Sequence, residues 1–395
     1  GDTNTSTEQN PLHEYASEGT YTVSLTATNA VGADSETKVD YITVTAVVEG
    51  FPPWEDNEDN VQQFLDAVGA LSSSQSDVTG TFGSLVGSGK WLGGVLAPNG
   101  SIYGVPYGSS AVLRIDTTID SASTFGNVTT DGGKWAGGVL ASNGFIYCVP
   151  RSSTSILKIN PSNNTVSTFG NLAGMNKWTG AVLAPNGFVY GVPYSETTIL
   201  KINPVDDSTS TFGNLAGANK WTGAVLAPGG IIYCIPYDST SVLRIDTNDD
   251  STTLIGSLSS DGAKWSGGVI APNGIIYGIP RGSTSILRID TSDDTVTTFG
   301  NYAGATKWLA GALAPNGMVY GLPYDGTINV LKINPSDDSS TTIGSLPGDA
   351  LYYGAILADN GKIYGIPFSA TSVPRVLDEY IVVDDFPLHR AVNKF

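Results

Sequence analysis

The dipeptide Lys-Trp recurs along this chain, with its tryptophan at Trp91, Trp135, Trp178, Trp221, Trp265 and Trp308. Tyr352 holds the tryptophan place in a seventh copy, and successive copies lie 43 or 44 residues apart. The unit reads KW-x-G-[GA]-[VAL]-[LI]-A-P-N-G-x-[IV]-Y-[GC]-[VIL]-P, then S-[IV]-L-[RK]-I-[DN], then T-[FI]-G-[NS]. A fixed period of this length restricts the chain to a stacked or radial array of small units. In the third copy the apolar runs are 180–184, 188–192, 198–202 and 209–212, separated by Pro-, Asn-, Asp- and Gly-rich turns. Short β-branched and aromatic runs bounded by such turns are strands, and no run keeps a 3.6-residue period long enough for a helical solenoid. Four strands per unit, seven times over, predict an all-β fold, a seven-bladed β-propeller across residues 78–380. The seventh copy lacks its fourth strand, while a matching strand, Val78–Gly83, precedes the first. That strand is expected to close the ring as the outer strand of blade seven, leaving no exposed edge.

The flanks read differently. In residues 1–47, Tyr21, Val23, Leu25 and Ala27 alternate with Thr and Ser, and 41–44 alternate likewise, as in a half-buried antiparallel sheet. The stretch GD-x-NTSTEQNP … GTYTVSLTATNAVG … DYITV resembles the second half of a PKD (polycystic-kidney-disease) repeat, an Ig-like β-sandwich. Such repeats usually open with strands leading to Trp-Asp-Phe-Gly-Asp, of which Gly1-Asp2 would be the end, so the resemblance implies a longer parent chain. Residues 48–77 read as a linker whose Val61, Phe64, Leu65 and Val68 predict a short helix over 60–71. The tail 381–395 follows an apolar run at 380–383. The propeller units, with GGVLAPNG-x-IYGIP as their mark, resemble kelch-like propeller proteins of microbial and algal surfaces over about three quarters of the chain. The resemblance implies fold more than activity.

Charge and inventory narrow the function. The net charge is −18, which disfavours nucleic acid and anionic membranes as partners. Only 14% of residues are charged, against about 25% in ordinary domains, so solubility rests on Ser, Thr, Asn and Gly. No apolar run reaches the ~18 residues of a membrane span. Between Val78 and Asp378 there is no histidine, and Glu196 is the only glutamate. A Ser-His-Asp or Cys-His arrangement and a His-rich metal site cannot be assembled there. Some seven-bladed propellers, the streptogramin lyases among them, are enzymes, but such sites need a blade that breaks the repeat with His or Glu. No catalytic residue, cofactor or metal is expected. Asp246–Asp250 and Asp290–Asp294 resemble calcium loops only faintly, lacking the Gly and distal Glu. Cys148 and Cys234 occupy equivalent positions two blades apart and predict small buried side chains, with no disulfide between them. N-x-[ST] sequons stand at Asn4, Asn99, Asn127 and Asn163 as glycosylation positions.

The loops assign side chains to two faces. One carries Lys90, Lys134, Lys177, Lys220, Lys264 and Lys307, with the residue after each second-strand proline: Tyr107, Arg151, Tyr194, Tyr237, Arg281, Tyr324 and Phe368. The other carries Asp120 and the pairs 206/207, 249/250, 293/294 and 337/338. The first reads as a cationic, aromatic ligand face and the second as an acidic one, complementary enough to stack copies head to tail. The tryptophans read as wedges between blades. Together these features predict a non-catalytic extracellular or cell-surface protein. It would act in adhesion or surface assembly, contacting surface or matrix proteins, copies of itself, or glycans. The alternatives are a lectin-like propeller and, more remotely, a lyase or hydrolase.

Overall fold

The computed structural model describes residues 19–29, 32–44 and 78–377, apart from 130, 325–328, 345 and 347–350. The helix expected over 60–71, the tail after 377 and the sequon at Asn4 lie outside the described residues. The chain divides into two units, one of which is the propeller. In the other, β1 (Gly19–Asn29) and β2 (Gly32–Val44) pair antiparallel, with an irregularity between Tyr21 and Val23.

β3 (Val78–Phe82) opens the propeller. Blade one consists of β4 (Trp91–Leu96), β5 (Ser101–Pro106), β6 (Val112–Asp116) and β7 (Ser121–Phe125). Five further four-stranded antiparallel sheets repeat it, beginning at Trp135, Trp178, Trp221, Trp265 and Trp308. In the third blade the strands are Trp178–Leu183, Val189–Pro193, Ile199–Asn203 and Ser208–Phe212, each within two residues of the apolar run that announces it. The seventh blade has Tyr352–Leu357, Ile363–Pro367 and Val373–Leu377 from its own unit. β3 supplies the fourth strand, pairing from Val78 opposite Leu377 to Phe82 opposite Val373. The ring is thus closed by the strand that precedes the first unit.

Burial grades outward across each blade. Second strands are buried along their whole length, third strands on their apolar positions, and fourth strands are mainly exposed Ser and Thr. Near the axis, the first strands of neighbouring blades approach backbone to backbone. A Cβ at Gly137 (φ +84°) would lie 2.6 Å from the Gly180 Cα, so no side chain fits. The tryptophans wedge between blades: Trp178, 2% exposed, packs with Tyr147 and Val149 of blade two and Leu200 of its own. Its indole N–H donates to the Thr198 carbonyl at 2.8 Å, as a buried indole requires. Cys148 and Cys234 are unbridged and fully buried in different interblade clusters.

The aspartate face resolves into two roles. The first of each pair, such as Asp249, is exposed and accepts its own turn's N–H, from Ser251 at 2.9 Å. The second has a left-handed backbone, φ 59° at Asp250, and reaches the preceding blade. There Asp250 accepts from the Tyr190 hydroxyl at 2.7 Å and from Lys201 at 2.6 Å. Tyr147 and Lys158 clasp Asp207 in the same way, Tyr233 and Arg244 clasp Asp294, and Tyr277 and Arg288 clasp Asp338. Tyr364 and Arg375 clasp Asp120 across the closing seam, and Asn164 does the same work for Tyr103. These carboxylates are structural, which also accounts for the calcium-like spelling of Asp246–Asp250 and Asp290–Asp294. The Asn99 amide joins this network, donating to the Tyr103 hydroxyl at 2.9 Å and the Pro161 carbonyl at 3.0 Å. A glycan on that nitrogen would break the network, so Asn99 is a structural residue. Asn127 and Asn163 are exposed.

Asp250→Asn, which keeps a left-handed-tolerant acceptor, is expected to cost less than Asp250→Ala. The alanine should cost about 1–2 kcal/mol, since the site is part-exposed and screened. That corresponds to a melting-temperature drop of about 3–6 °C at this size. Equal melting of the two variants in calorimetry would remove the clasp from the stability account.

Candidate functional site

The residue after the second-strand proline is pinned twice in six of the seven blades, and Tyr324 donates its N–H to the Lys307 carbonyl. In blade three the Tyr194 N–H donates to the Lys177 carbonyl, and the Tyr194 carbonyl accepts the Lys220 N–H of the next blade, both at 2.8 Å. The same pattern holds Tyr107, Arg151, Tyr237 and Arg281. Phe368 uses Leu351, which stands in the lysine place, and Lys90. The side chains so positioned form a belt on one face. Arg151 sits between two rings, 5.4 Å from the Tyr107 centroid and 5.0 Å from that of Tyr194, and donates to the Tyr107 hydroxyl at 2.7 Å. Tyr194 meets Tyr237 edge-on at 5.8 Å, and Arg281 lies 5.0 Å over Tyr237. Tyr324 and Phe368 lie 6.4 Å apart, and Phe368 meets Tyr107 at 5.6 Å. Tyr353 joins them, 6.0 Å from Tyr324 and 5.7 Å from Phe368. Sequence reasoning missed Tyr353; its signal was an aromatic where the other units have Leu92, Ala136, Thr179, Thr222, Ser266 and Leu309.

The lysines differ from expectation. Lys90, Lys134, Lys177, Lys220, Lys264 and Lys307 are at most 5% exposed. They are not an open cationic ring. The Lys177 ammonium donates to the carbonyls of Gly174 (2.7 Å), Ser153 (2.8 Å) and Arg151 (3.3 Å). Lys220 does so to Gly217, Glu196 and Tyr194, and Lys307 to Gly304, Ser283 and Arg281. Lys90, Lys134, Lys177, Lys220 and Lys307 therefore each tie two loops together and fix the belt backbone, while Lys264 donates to the Asp261 carbonyl of its own loop. The cationic half of the expected head-to-tail stacking is consequently buried. Among the described residues the open charges of this face include the half-buried Arg151, Arg281, Glu196 and Asp238 and the exposed Asp131 and Asp261. Among the described residues no cluster of His, Cys, Asp and Glu is placed to hold a metal ion.

Burial lowers the pKa of all six ammoniums, that of Lys220 to about 8. Burial, and then the adjoining carboxylate, pushes the clasp hydroxyls of Tyr233 and Tyr277 up to about 12. From pH 8 to 10 the unfolded chain, with lysines near 10.5, holds protons that the folded chain has shed, so stability rises with pH. From pH 10 to 12 the unfolded tyrosines ionise near 10 while the folded ones stay protonated, so stability falls. Melting temperature followed from pH 7 to 12 in 0.15 M salt, which screens net-charge repulsion, is expected to peak near pH 10. A steady decline from pH 8 would contradict the buried ammoniums.

Residues 1–44 match the PKD domain family model. No curated protein matches the chain in sequence. Among solved structures the propeller resembles streptogramin B lyase, with TM-score 0.66 and 14% identity, covering 76% of this chain and 98% of that one. It is equally similar to a catalytically inactive histidine-to-alanine variant of virginiamycin B lyase from Staphylococcus aureus with Quinupristin, at TM-score 0.66 and 12% identity, covering 76% of this chain and 99% of that one. An extracellular domain from B. thetaiotaomicron aligns at TM-score 0.56 and 9% identity, covering 73% of this chain and 40% of that one. At these identities the likeness is one of fold. The chain is thus an all-β protein, a PKD-type segment followed by a seven-bladed propeller.

Proposed function

We propose that the chain is a non-catalytic recognition module of an extracellular, surface-attached protein of the kelch-like kind, in which the belt face contacts other surface or matrix molecules. The observation that carries this reading is the belt itself: Tyr, Arg and Phe side chains on backbones fixed by paired hydrogen bonds and buried ammoniums. Aromatic and arginine side chains held in place before binding lose little entropy on contact and are the usual anchors of interfaces. The PKD-type segment and the extracellular structural neighbour support the location. The inactive variant named for the S. aureus lyase replaces a histidine, and this propeller's sequence has none between Val78 and Asp378, which supports a binding role over turnover. A lectin-like role is favoured by one further feature. The rim of the same face exposes a hydroxyl residue in six blades, Ser110, Thr154, Thr197, Thr240, Thr284 and Thr371.

The test is binding of the full chain to a panel of matrix proteins and a glycan array, beside Arg151→Met and Tyr237→Ala. Retention of a partner by the parent and its loss by the belt variants supports the reading. Partners bound equally by all three, or turnover of a panel member, overturns it.

A further inference from the structure

The belt uses its aromatic faces on itself. Arg151 lies between two rings and spends one N–H on the Tyr107 hydroxyl, which leaves its remaining N–H groups as the donors of this part of the belt. A guanidinium held on both faces keeps its in-plane fork, the geometry that matches a carboxylate. One donor of Arg151 is satisfied by Tyr107, while its Nε is buried and has no partner among the described residues. Beside it, from Ser152 onward, runs a groove of about 430 Å³ at the seam of blades one and two. Hydroxyls of Ser152, Thr154, Ser155, Ser167 and Thr168 line it, with Asp131 as its carboxylate. Val128, Trp135 and Val166 add apolar surface between these hydroxyls, a mixture that suits both the C–H faces and the hydroxyls of a sugar.

We propose that Arg151 and the groove beside it together bind a carboxylated saccharide, the uronate carboxylate on the Arg151 fork and the neighbouring sugar units on the hydroxyls of the groove. This deepens the recognition reading above and rests on it. Arg281, three blades away and with the same buried, unpartnered Nε, is the internal control.

The experiment titrates the full chain with a galacturonic acid tetrasaccharide and with the uncharged galactose tetrasaccharide, by calorimetry, with thermal unfolding run on every variant. Arg151→Met is expected to weaken uronate binding tenfold or more. Arg151→Lys, which keeps the charge but not the fork, should recover only part of it. Thr168→Arg, on an exposed strand outside the belt, should abolish binding by filling the groove, and Arg281→Met should stay within threefold of the parent. Uronate binding lost in both Arg151→Met and Thr168→Arg, with galactose bound weakly, supports the proposal. Equal affinity for the two saccharides overturns the carboxylate assignment. Absence of uronate binding overturns this inference while leaving the recognition reading to its own panel of proteins and glycans. Uronate binding that survives both Arg151→Met and Thr168→Arg places the ligand elsewhere and overturns the site.

Discussion

A chain lacking residues 1–84 is expected to melt on the order of 10 °C below the parent, and to associate on concentration. β3 is the whole fourth strand of blade seven, and its removal breaks five residue pairs with Val373–Leu377. It also strips Phe82 from the Tyr364 ring, which it meets edge-on at 6.0 Å, and from the apolar cluster that holds Leu85. Losing the half-buried Phe82 together with the strand's ladder costs about 3–5 kcal/mol, and each kcal/mol moves melting by about 2–4 °C in a domain of this size. The exposed strand Val373–Leu377 then offers unpaired N–H and C=O groups to other copies. A separate deletion that begins at Gly1 and stops before Val78 should leave melting of the propeller unchanged. Calorimetry and sedimentation of both deletions check the expectation; identical melting of the shorter and longer deletions would mean that β3 does not close the ring.

That closure was legible because a missing element in one copy and a surplus one elsewhere can be matched by inspection. The strands were legible for a related reason: runs such as Ile-Tyr-Gly-Val-Pro are too short and too β-branched for anything else, and the turns between them repeat. The belt positions followed from the fold, since the residue after each second-strand proline must lie on one face. What sequence could not show was burial made by backbone. The lysines read as surface because their neighbours in sequence are loop residues. Their cradle consists of carbonyls from two loops, for Lys177 that of Gly174 three residues before it and that of Ser153 24 residues before it, and carbonyls leave no compositional trace. The two aspartates of each turn likewise look equivalent in sequence. Only the left-handed backbone of the second, at Asp207, Asp250, Asp294 and Asp338, sends it across the seam. A signal existed, because the clasp partners occupy fixed places in the unit: a tyrosine in the second strand and an Arg or Lys in the third.

Lys177→Glu is expected to be the most damaging single substitution on the belt face, costing about 3–5 kcal/mol. The Lys177 ammonium is fully buried, and its three acceptors are carbonyl oxygens. A carboxylate there would be a buried charge facing only other acceptors, the situation in which removing one partner is far costlier than losing both. Lys177→Met removes the charge and fits the channel of the stem, so its cost is that of the orphaned carbonyls, about 1–3 kcal/mol in all. Lys177→Arg should fall between the parent and methionine, because a planar fork cannot reproduce three converging N–H bonds. Asp206→Lys supplies the comparison: Asp206 is exposed and serves only its own turn, through Ser208, so its reversal should stay within about 0.5 kcal/mol. The order of melting temperatures should therefore be parent and Asp206→Lys together, then Lys177→Arg, Lys177→Met and Lys177→Glu. If Lys177→Glu instead melts with the parent, the lysine is on the surface and the loops that carry Arg151 and Tyr194 are not held from beneath. In that event the belt would be an adaptable surface, and the entropy argument for a pre-formed recognition face would go with it.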